Sequence, residues 1–550
     1  MNHITRARVA IASFSVLLLL VVGFGTFNYF QSSQELPLLP APSIHADVSA
    51  QPLLTYAKSL QQKFPADISA TKPSLCKSMT PGWLESENLR PGVAITRMDW
   101  RNLNLAQLGG SSLWINNTSV TCGDIVQIHA SANPANKTDL GPRIFEVMRI
   151  GHYQGSGARV MWTSRPIALK YRAVPRVKTV TRTVATAWPT TTKFRVGRDW
   201  TPGLYLVVAI SPSGKIDNVA PMILRARDGS SKLLLVHSTM TWTAYNTFGG
   251  RSAYIAPNRS SVERSTVVSM DRPLVGSGAN HLDRDAIALV QYLESAGISV
   301  DQVSDVDVSQ RPSILMSYNG LVFSGHAEYM TRRLFDTILA ARNHGINIAI
   351  LGANVAYWQT RLADSPIGPN RKIEIYRNAR LDPLTAPDQL TVQFQDPRIN
   401  TPASLFTGEK TSGVHVSGSL KSVAIPSWLT LPAGAHINNW PVTSEIDGLT
   451  IGAAAPPNIH TIFEGKFRLF HNSSGRVASS KRSLIANTIW YTSPSGSAVF
   501  AAGVNYWACE LSLTCNGSTM DPKSRDNLQS ITKQVLTLWQ KKEVGKTLRP

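Results

Sequence analysis

The sequence predicts an α/β protein: a parallel-sheet domain preceded by a β-sandwich domain and an N-terminal transmembrane helix. Three observations predict it. An uncharged, mostly apolar run extends from Val9 to about Tyr29, just after Arg6 and Arg8. Short alternating apolar runs, punctuated by Gly and Pro, fill the stretch from Cys76 to about Asp228. From about Ser231 strand-like and helix-like segments alternate. The 550 residues suit three to four domains at roughly 150 residues each. Apolar residues at 43% and charged residues at 16% exclude a disordered chain.

Residues 1–8 form a basic N-terminus and residues 9–30 the apolar run, with Leu17, Leu18, Leu19, Leu20, Val21 and Val22 at its centre. About 20 apolar residues cross a bilayer as a helix, and a signal-peptide core is shorter. Asn28, Tyr29 and Phe30 follow directly instead of a small-x-small cleavage pattern, so the run reads as an uncleaved signal anchor, with a signal cut at the distant Val48-Ser49-Ala50 as the alternative. Arg6 and Arg8 on the short side put the N-terminus in the cytoplasm and the bulk of the chain outside, in a single-pass arrangement at the cell membrane. Residues 31–75 are Pro-, Ser- and Ala-rich and read as a linker, with one short helix around Leu53–Phe64.

Residues 76–228 read as the sandwich. Runs such as Ile125–Ala130, Ile144–Ile150 and Leu204–Ala209 alternate at strand period, and the Gly-dense stretch Arg149–Arg159 reads as a tight loop between strands. Residues 229–550 read as the α/β domain. Lys232–His237, Ile298–Val303, Gly320–Ser324 and Ile346–Leu351 have the texture of strands. Arg284–Ala296 and Thr331–His344 carry apolar residues at helical spacing and stop at Gly297 and Gly345. This alternation argues for a parallel sheet with helices on both faces. After about Arg371 the pattern turns β-rich and reads as an excursion from the sheet, before a final helix over Asp526–Lys541.

Charge and cysteine content narrow the partners. The formal net charge is +20, from 55 Lys+Arg against 35 Asp+Glu, which favours anionic surroundings. Nucleic acid is excluded as a partner, because the bulk of the chain lies outside the membrane and carries no recognisable binding module. Four Cys are too few for a disulfide scaffold, and none has metal-finger spacing. Outside the cell thiols pair. Cys76 with Cys122 and Cys509 with Cys515 are the expected disulfides.

In open α/β sheets, sites form beyond the carboxyl ends of the strands. Three polar clusters fall there: Thr241-Trp242-Thr243-Ala244-Tyr245-Asn246, Ser324-Gly325-His326-Ala327-Glu328-Tyr329, and Gly352-Ala353-Asn354 with Tyr357-Trp358. His326 and Glu328 are expected near a helix N-terminus, which favours anionic oxygen. The stretches TWTAYNTFGG, GHAEYM and GANVAYW resemble the C-terminal catalytic domain of the large (beta) subunit of N,N-dimethylformamidase. The resemblance extends upstream to RIGHYQGSGAR and DWTPGLYLV. It implies a flavodoxin/glutaminase-like domain carrying a mononuclear Fe(III) held by two tyrosines and one glutamate. On this sequence it implies Tyr205, Tyr245 and Glu328 as metal ligands, His326 as a second-shell or acid–base residue, and Asn354 as a substrate-orienting amide. The family pattern reads GHxEYW, and Met330 stands here in place of the tryptophan.

The chemistry is coherent without the resemblance. Phenolate and carboxylate are hard oxygen donors suited to ferric iron. Three protein ligands leave open positions for water and a carbonyl oxygen. No HExxH, Walker loop or GxSxG at a strand–helix junction occurs, and all four cysteines lie away from the strand ends, so a thiol nucleophile is excluded. Each candidate also has a structural reading: Tyr205 as a core residue, Tyr245 as loop packing, His326 as a helix cap, Glu328 as a first-turn carboxylate, and Asn354 as a left-handed turn residue. Two functions stand at this point. One is a membrane-anchored, extracytoplasmic, iron-dependent amide hydrolase acting on a non-peptide C–N bond of a small amide substrate. The other is a non-catalytic cell-envelope protein that binds an anionic polymer or glycan.

Overall fold

A computed structural model describes residues 64–549, apart from 69–73, 95–109, 134–140, 176, 178–179, 258–262, 432–436, 438, 451–454, 472–475, 478–482 and 513–519. The expected cytoplasmic N-terminus, membrane anchor, most of the linker and Cys515 lie outside the described residues. Among the described residues no helix is long and apolar enough to cross a membrane.

Strands alternating buried and half-buried residues build the first unit. A six-stranded sheet includes Ile144–Ile150, Gly157–Thr163, Gly203–Ile210 and Ile216–Leu224, and a three-stranded sheet joins Ser111–Ile115, Ile125–Ala132 and Thr192–Arg195. Leu113, Ile115, Val126, Ile128, Phe145, Val147, Val207 and Ala209 share one buried core. Cys76 and Cys122 are joined by a disulfide beside it. Cys509 is also disulfide-bonded.

The second unit is organised by one large sheet. Leu233–His237 is fully buried, as a strand covered on both faces must be. It pairs in parallel with Val300–Ser304 on one side and Gly320–Ser324 on the other. Asn347–Leu351 and Ala498–Ala501 extend the parallel run. Four long strands then continue the same sheet antiparallel, in the order Ser483–Thr492, His460–His471, Glu409–Ser422, Trp440–Leu449. The helix Arg332–Asn343 is capped by Thr331, whose Oγ1 accepts from Leu334 N, and it buries Leu334, Phe335, Ile338 and Leu339. The helix Pro522–Trp539 starts at an Asp521 cap and buries Leu528, Ile531, Val535 and Trp539. Each such burial stabilises by about 1.5–3 kcal/mol.

This architecture corrects the expected fold class. The second unit is not the expected flavodoxin/glutaminase-like α/β domain. Strands dominate the described residues, and the principal sheet is mixed, with helices few beside it. The alternation read between Ser231 and Leu351 is local. The β-rich part after Arg371 is no excursion but the antiparallel half of the same sheet. Long strands such as Glu409–Ser422 carry Gly and Ser and bury only some positions, so their pattern does not announce a common sheet.

The two units are latched by buried ion pairs. Arg149 Nη2 lies 2.6 Å from Glu294 Oε1, and Arg225 Nη1 lies 2.8 Å from Asp307 Oδ1. The Gly-dense loop serves this latch. A Cβ on Gly151 would fall 2.3 Å from Glu294 Oε2, so glycine lets the backbone approach the carboxylate.

Candidate active site

Four loops and one antiparallel strand converge beyond the carboxyl ends of the parallel strands. Tyr245 is the last residue of the short helix Thr239–Tyr245. Asn246 pins that helix end: its Nδ2 donates to Pro273 O, and its Oδ1 accepts from Phe248 N and Val275 N. Tyr254 sits in the next loop, where Ser252 Oγ accepts from both Tyr254 N and Ile255 N at 3.0 Å. The Tyr245 and Tyr254 rings stack with centroids 4.4 Å apart, and the Arg377 guanidinium lies 4.4 Å from the Tyr254 ring.

His326 and Glu328 follow a sharp turn at Gly325, which has φ +57°. A Cβ there would fall 2.2 Å from Asp285 Cγ, and a Cβ on Gly352 would fall 1.8 Å from Gly325 O. Two adjacent strand ends therefore approach backbone to backbone, and only glycine at both positions allows it. Glu328 is not in a helix first turn. The three-residue strand Tyr329–Thr331 intervenes, and the helix begins only at Arg332. Glu328 O accepts from Tyr357 N and Trp358 N at 2.9 Å each, which fixes the residue.

The side chains meet closely. Tyr254 Oη donates to Glu328 Oε1 at 2.5 Å, and Tyr329 Oη donates to Tyr254 Oη at 2.7 Å. His326 Nε2 lies 3.2 Å from Tyr245 Oη, 3.1 Å from Glu328 Oε2 and 3.2 Å from Glu445 Oε2. The Glu328 Oε2 contact with His326 is an ion-pair approach and not a well-aligned hydrogen bond, so this buried oxygen has no hydrogen-bond partner. The His281 ring stacks on His326 with centroids 5.3 Å apart, and His281 Nδ1 lies 2.9 Å from Asp285 Oδ2.

Burial sets the charge states. Desolvation, with the Glu328 carboxylate beside them, pushes the Tyr245 and Tyr254 phenols well above their ordinary range. Burial would lower His326, but the Glu445 and Glu328 carboxylates outweigh it and hold the imidazole up at about 9. Burial would raise Glu328, but His326 and the hydrogen bond from Tyr254 hold it below the usual carboxylate range. His326 is thus a cation between two carboxylates.

The structure brings Tyr245, Glu328, His326 and Asn354 to one place. Tyr205 is not among them. It is fully buried in the sandwich core, stacked on Trp200 at 5.5 Å, with its hydroxyl donating to Thr201 O at 2.6 Å. Asn354 has φ +59°, its backbone N–H donates to Asp447 Oδ2, its Nδ2 donates to Glu445 Oε2 at 2.9 Å, and its Oδ1 accepts from Gly413 N. Sequence reasoning missed Tyr254, Tyr329, His281, Arg377 and Glu445. Tyr254 stands nine residues after Tyr245 in a polar loop, and that proximity was its only signal. Glu445 lies on the strand Trp440–Leu449, where period-2 alternation does not show that its carboxyl meets His326 and Asn354.

A metal can be tested against these groups. Two phenol oxygens and a carboxylate converge, and one carboxylate oxygen is buried without a hydrogen bond. Hard donors in this number suit a ferric ion, and a bound cation is what would ionise phenols that burial otherwise keeps protonated. The residues fit such a group. Among the described residues no set of three His, Cys, Asp or Glu side chains is placed to hold a metal, so the phenols are essential to the fit.

Comparison with known proteins bears on the family. No curated protein matches the chain. Among solved structures, a Paenibacillus sp. cycloisomaltooligosaccharide glucanotransferase complexed with cycloisomaltoheptaose aligns over 78% of this chain and 81% of its own, at 8% identity and a TM-score of 0.17. That likeness is too low to carry any argument. The family model described as N,N-dimethylformamidase beta subunit-like, C-terminal matches residues 144–522, more than half of the chain and all of the site. The chain therefore belongs to the N,N-dimethylformamidase beta subunit-like family.

Proposed function

We propose that this protein is a membrane-anchored, extracytoplasmic, iron-dependent hydrolase of small amides, cleaving a non-peptide C–N bond. The observation that carries the reading is the convergence of Tyr245, Tyr254 and Glu328 oxygens beside a histidine held between Glu328 and Glu445. The apolar run at 9–30 and the Cys76–Cys122 disulfide support the outward placement.

Tyr245, Tyr254 and Glu328 would hold the ion. When bound it polarises a carbonyl oxygen and lowers the pKa of a coordinated water. The chain's own residues then handle protons. Glu445 accepts the proton of the attacking water as the water oxygen bonds to the carbonyl carbon. His326 Nε2, 3.2 Å away, donates its proton to the amide nitrogen as the C–N bond breaks. The proton taken by Glu445 returns His326 to its charged form. The products are a carboxylic acid and an amine, and the net reaction consumes one water. Asn354 fixes Glu445 and Asp447 in place and thereby aims the base.

The test is amine release from N,N-dimethylformamide and related small tertiary amides by the iron-loaded full chain. His326→Gln and Glu445→Gln should each lower kcat by about 100-fold or more while iron stays bound. Turnover that ignores both substitutions would sink the assignment.

A further inference from the structure

Behind Asn354 lies a second group of oxygens that the proposed chemistry does not use. Glu409 and Asp447 lie on the paired strands Glu409–Ser422 and Trp440–Leu449. In that ladder Glu409 stands opposite Leu449 and Thr411 opposite Asp447. With the strand period of 2, both carboxyls therefore point to the same side. Both are buried, at 1% and 2% exposure. Glu409 Oε1 and Asp447 Oδ1 have no hydrogen-bond partner, and no hydrogen bond joins the two residues. The other Asp447 oxygen accepts Asn354 N at 2.8 Å.

A third orphaned oxygen lies on the adjoining segment. Asp447 N donates to Gly503 O, and Asn505 N donates to Glu445 O, so residues 503–505 run alongside the Trp440–Leu449 strand. Asn505 is 5% exposed, and its Oδ1 has no partner. Gly503 has φ +67°, and a Cβ there would fall 1.8 Å from Asn487 O and 2.9 Å from Glu409 Oε1, so only glycine lets this segment come so close to the neighbouring strand and the carboxyl.

Two buried carboxyls side by side with unmet oxygens need either protons or a cation. Among the described residues no guanidinium or ammonium acts on Glu409. Burial and the nearby Asp447 both drive its carboxyl up, with nothing opposing them. Asp447 is itself pushed up to about 8, chiefly by burial and then by Glu445, against the Asn354 N–H. Two carboxylates and an amide oxygen, with no nitrogen or sulfur donor, are the ligand chemistry of hard divalent ions.

We propose that Glu409 and Asp447 bind a hard divalent cation of the calcium or magnesium type. The site is separate from the Tyr245–Tyr254–Glu328 group. Through Asp447 it fixes the backbone of Asn354, and through Asn354 the base Glu445. The ion takes the place of the protons that two buried carboxyls with unmet oxygens otherwise need.

The experiment uses the full chain, stripped with a chelator and then titrated with Ca2+ and separately with Mg2+, by calorimetry and thermal unfolding. Wild type should bind one equivalent and unfold at a higher temperature with the ion. Glu328→Gln should keep that response, which separates this site from the proposed iron site. Glu409→Gln and Asp447→Asn should weaken binding by more than about 100-fold, beyond what losing a merely supporting residue does. Wild type that is indifferent to both ions and to chelator overturns the proposal. So do Gln and Asn variants as stable as wild type that keep the ion response. If a variant fails to fold, the chelator response of wild type still decides.

Discussion

At the scale of single residues, the decisive distinction is between Tyr205 and Tyr254. Tyr205 is fully buried and Tyr254 half-buried, and they hydrogen-bond to different partners. Tyr205 donates to a backbone carbonyl within its own unit, whereas Tyr254 donates to Glu328. Tyr205→Phe should therefore cost about 1 kcal/mol in stability, one neutral hydrogen bond, and leave metal content unchanged. Equilibrium denaturation with metal analysis checks this, and a loss of metal in that variant would restore Tyr205 to the site. Residue types in the GHAEYM and AYN stretches were readable because each follows a buried strand. Tyr205 was carried by resemblance alone, into a strand whose neighbours Leu204, Leu206 and Val207 are all core. That burial is the physical reason it is packing. Glu445 was not readable, since a glutamate in a long β-strand is ordinarily solvated, and nothing beside it in the sequence shows that His326 and Asn354 pack against it.

At the scale of elements, the site depends on two glycine turns meeting. Gly352→Ala puts a methyl group inside contact distance of the Gly325 carbonyl, and the turn carrying His326 must move. We expect a loss of about 1–3 kcal/mol, typical of forced overpacking, together with impaired turnover. Unchanged turnover and stability would show that the two strand ends are not so close. The elements themselves were well marked. Strands at Ile144–Ile150 and Gly320–Ser324 stand where alternation or continuous apolar runs put them. The helix predicted over Arg284–Ala296 instead begins at Ser277 and runs through a π turn at Leu282–Ile287. That turn carries Asp285, which packs against Gly325, and π turns recur where a helix must present a side chain to a site. Helical periodicity cannot show such a turn, because the extra residue shifts the apolar phase.

At the scale of the whole molecule, the fold class was misread because a local βαβ rhythm was extended over the entire second unit. Antiparallel strands longer than the parallel ones complete the same sheet, joined to it by the hairpin of Ser483–Thr492 with Ala498–Ala501, and no local pattern marks where parallel pairing gives way to antiparallel. The latch between units was equally hidden, since Arg149 and Glu294 are 145 residues apart. It makes a sharp prediction. Arg149→Met leaves Glu294 buried without its partner and should destabilise by about 3–5 kcal/mol. The double variant Arg149→Met, Glu294→Met removes both charges and should recover much of that loss. Equal losses in the single and double variants would show that the pair contributes by shape and not by charge.

The central claim is that two phenols and one carboxylate around His326 bind ferric iron. The direct measurement is the visible spectrum and iron content of the purified full chain. The account predicts about one iron per chain, with a tyrosinate-to-iron charge-transfer band that weakens and shifts in Tyr254→Phe and is lost only when Tyr245 is replaced as well. A colourless protein that takes up no iron on reconstitution, or an iron band indifferent to Tyr254→Phe, would contradict it.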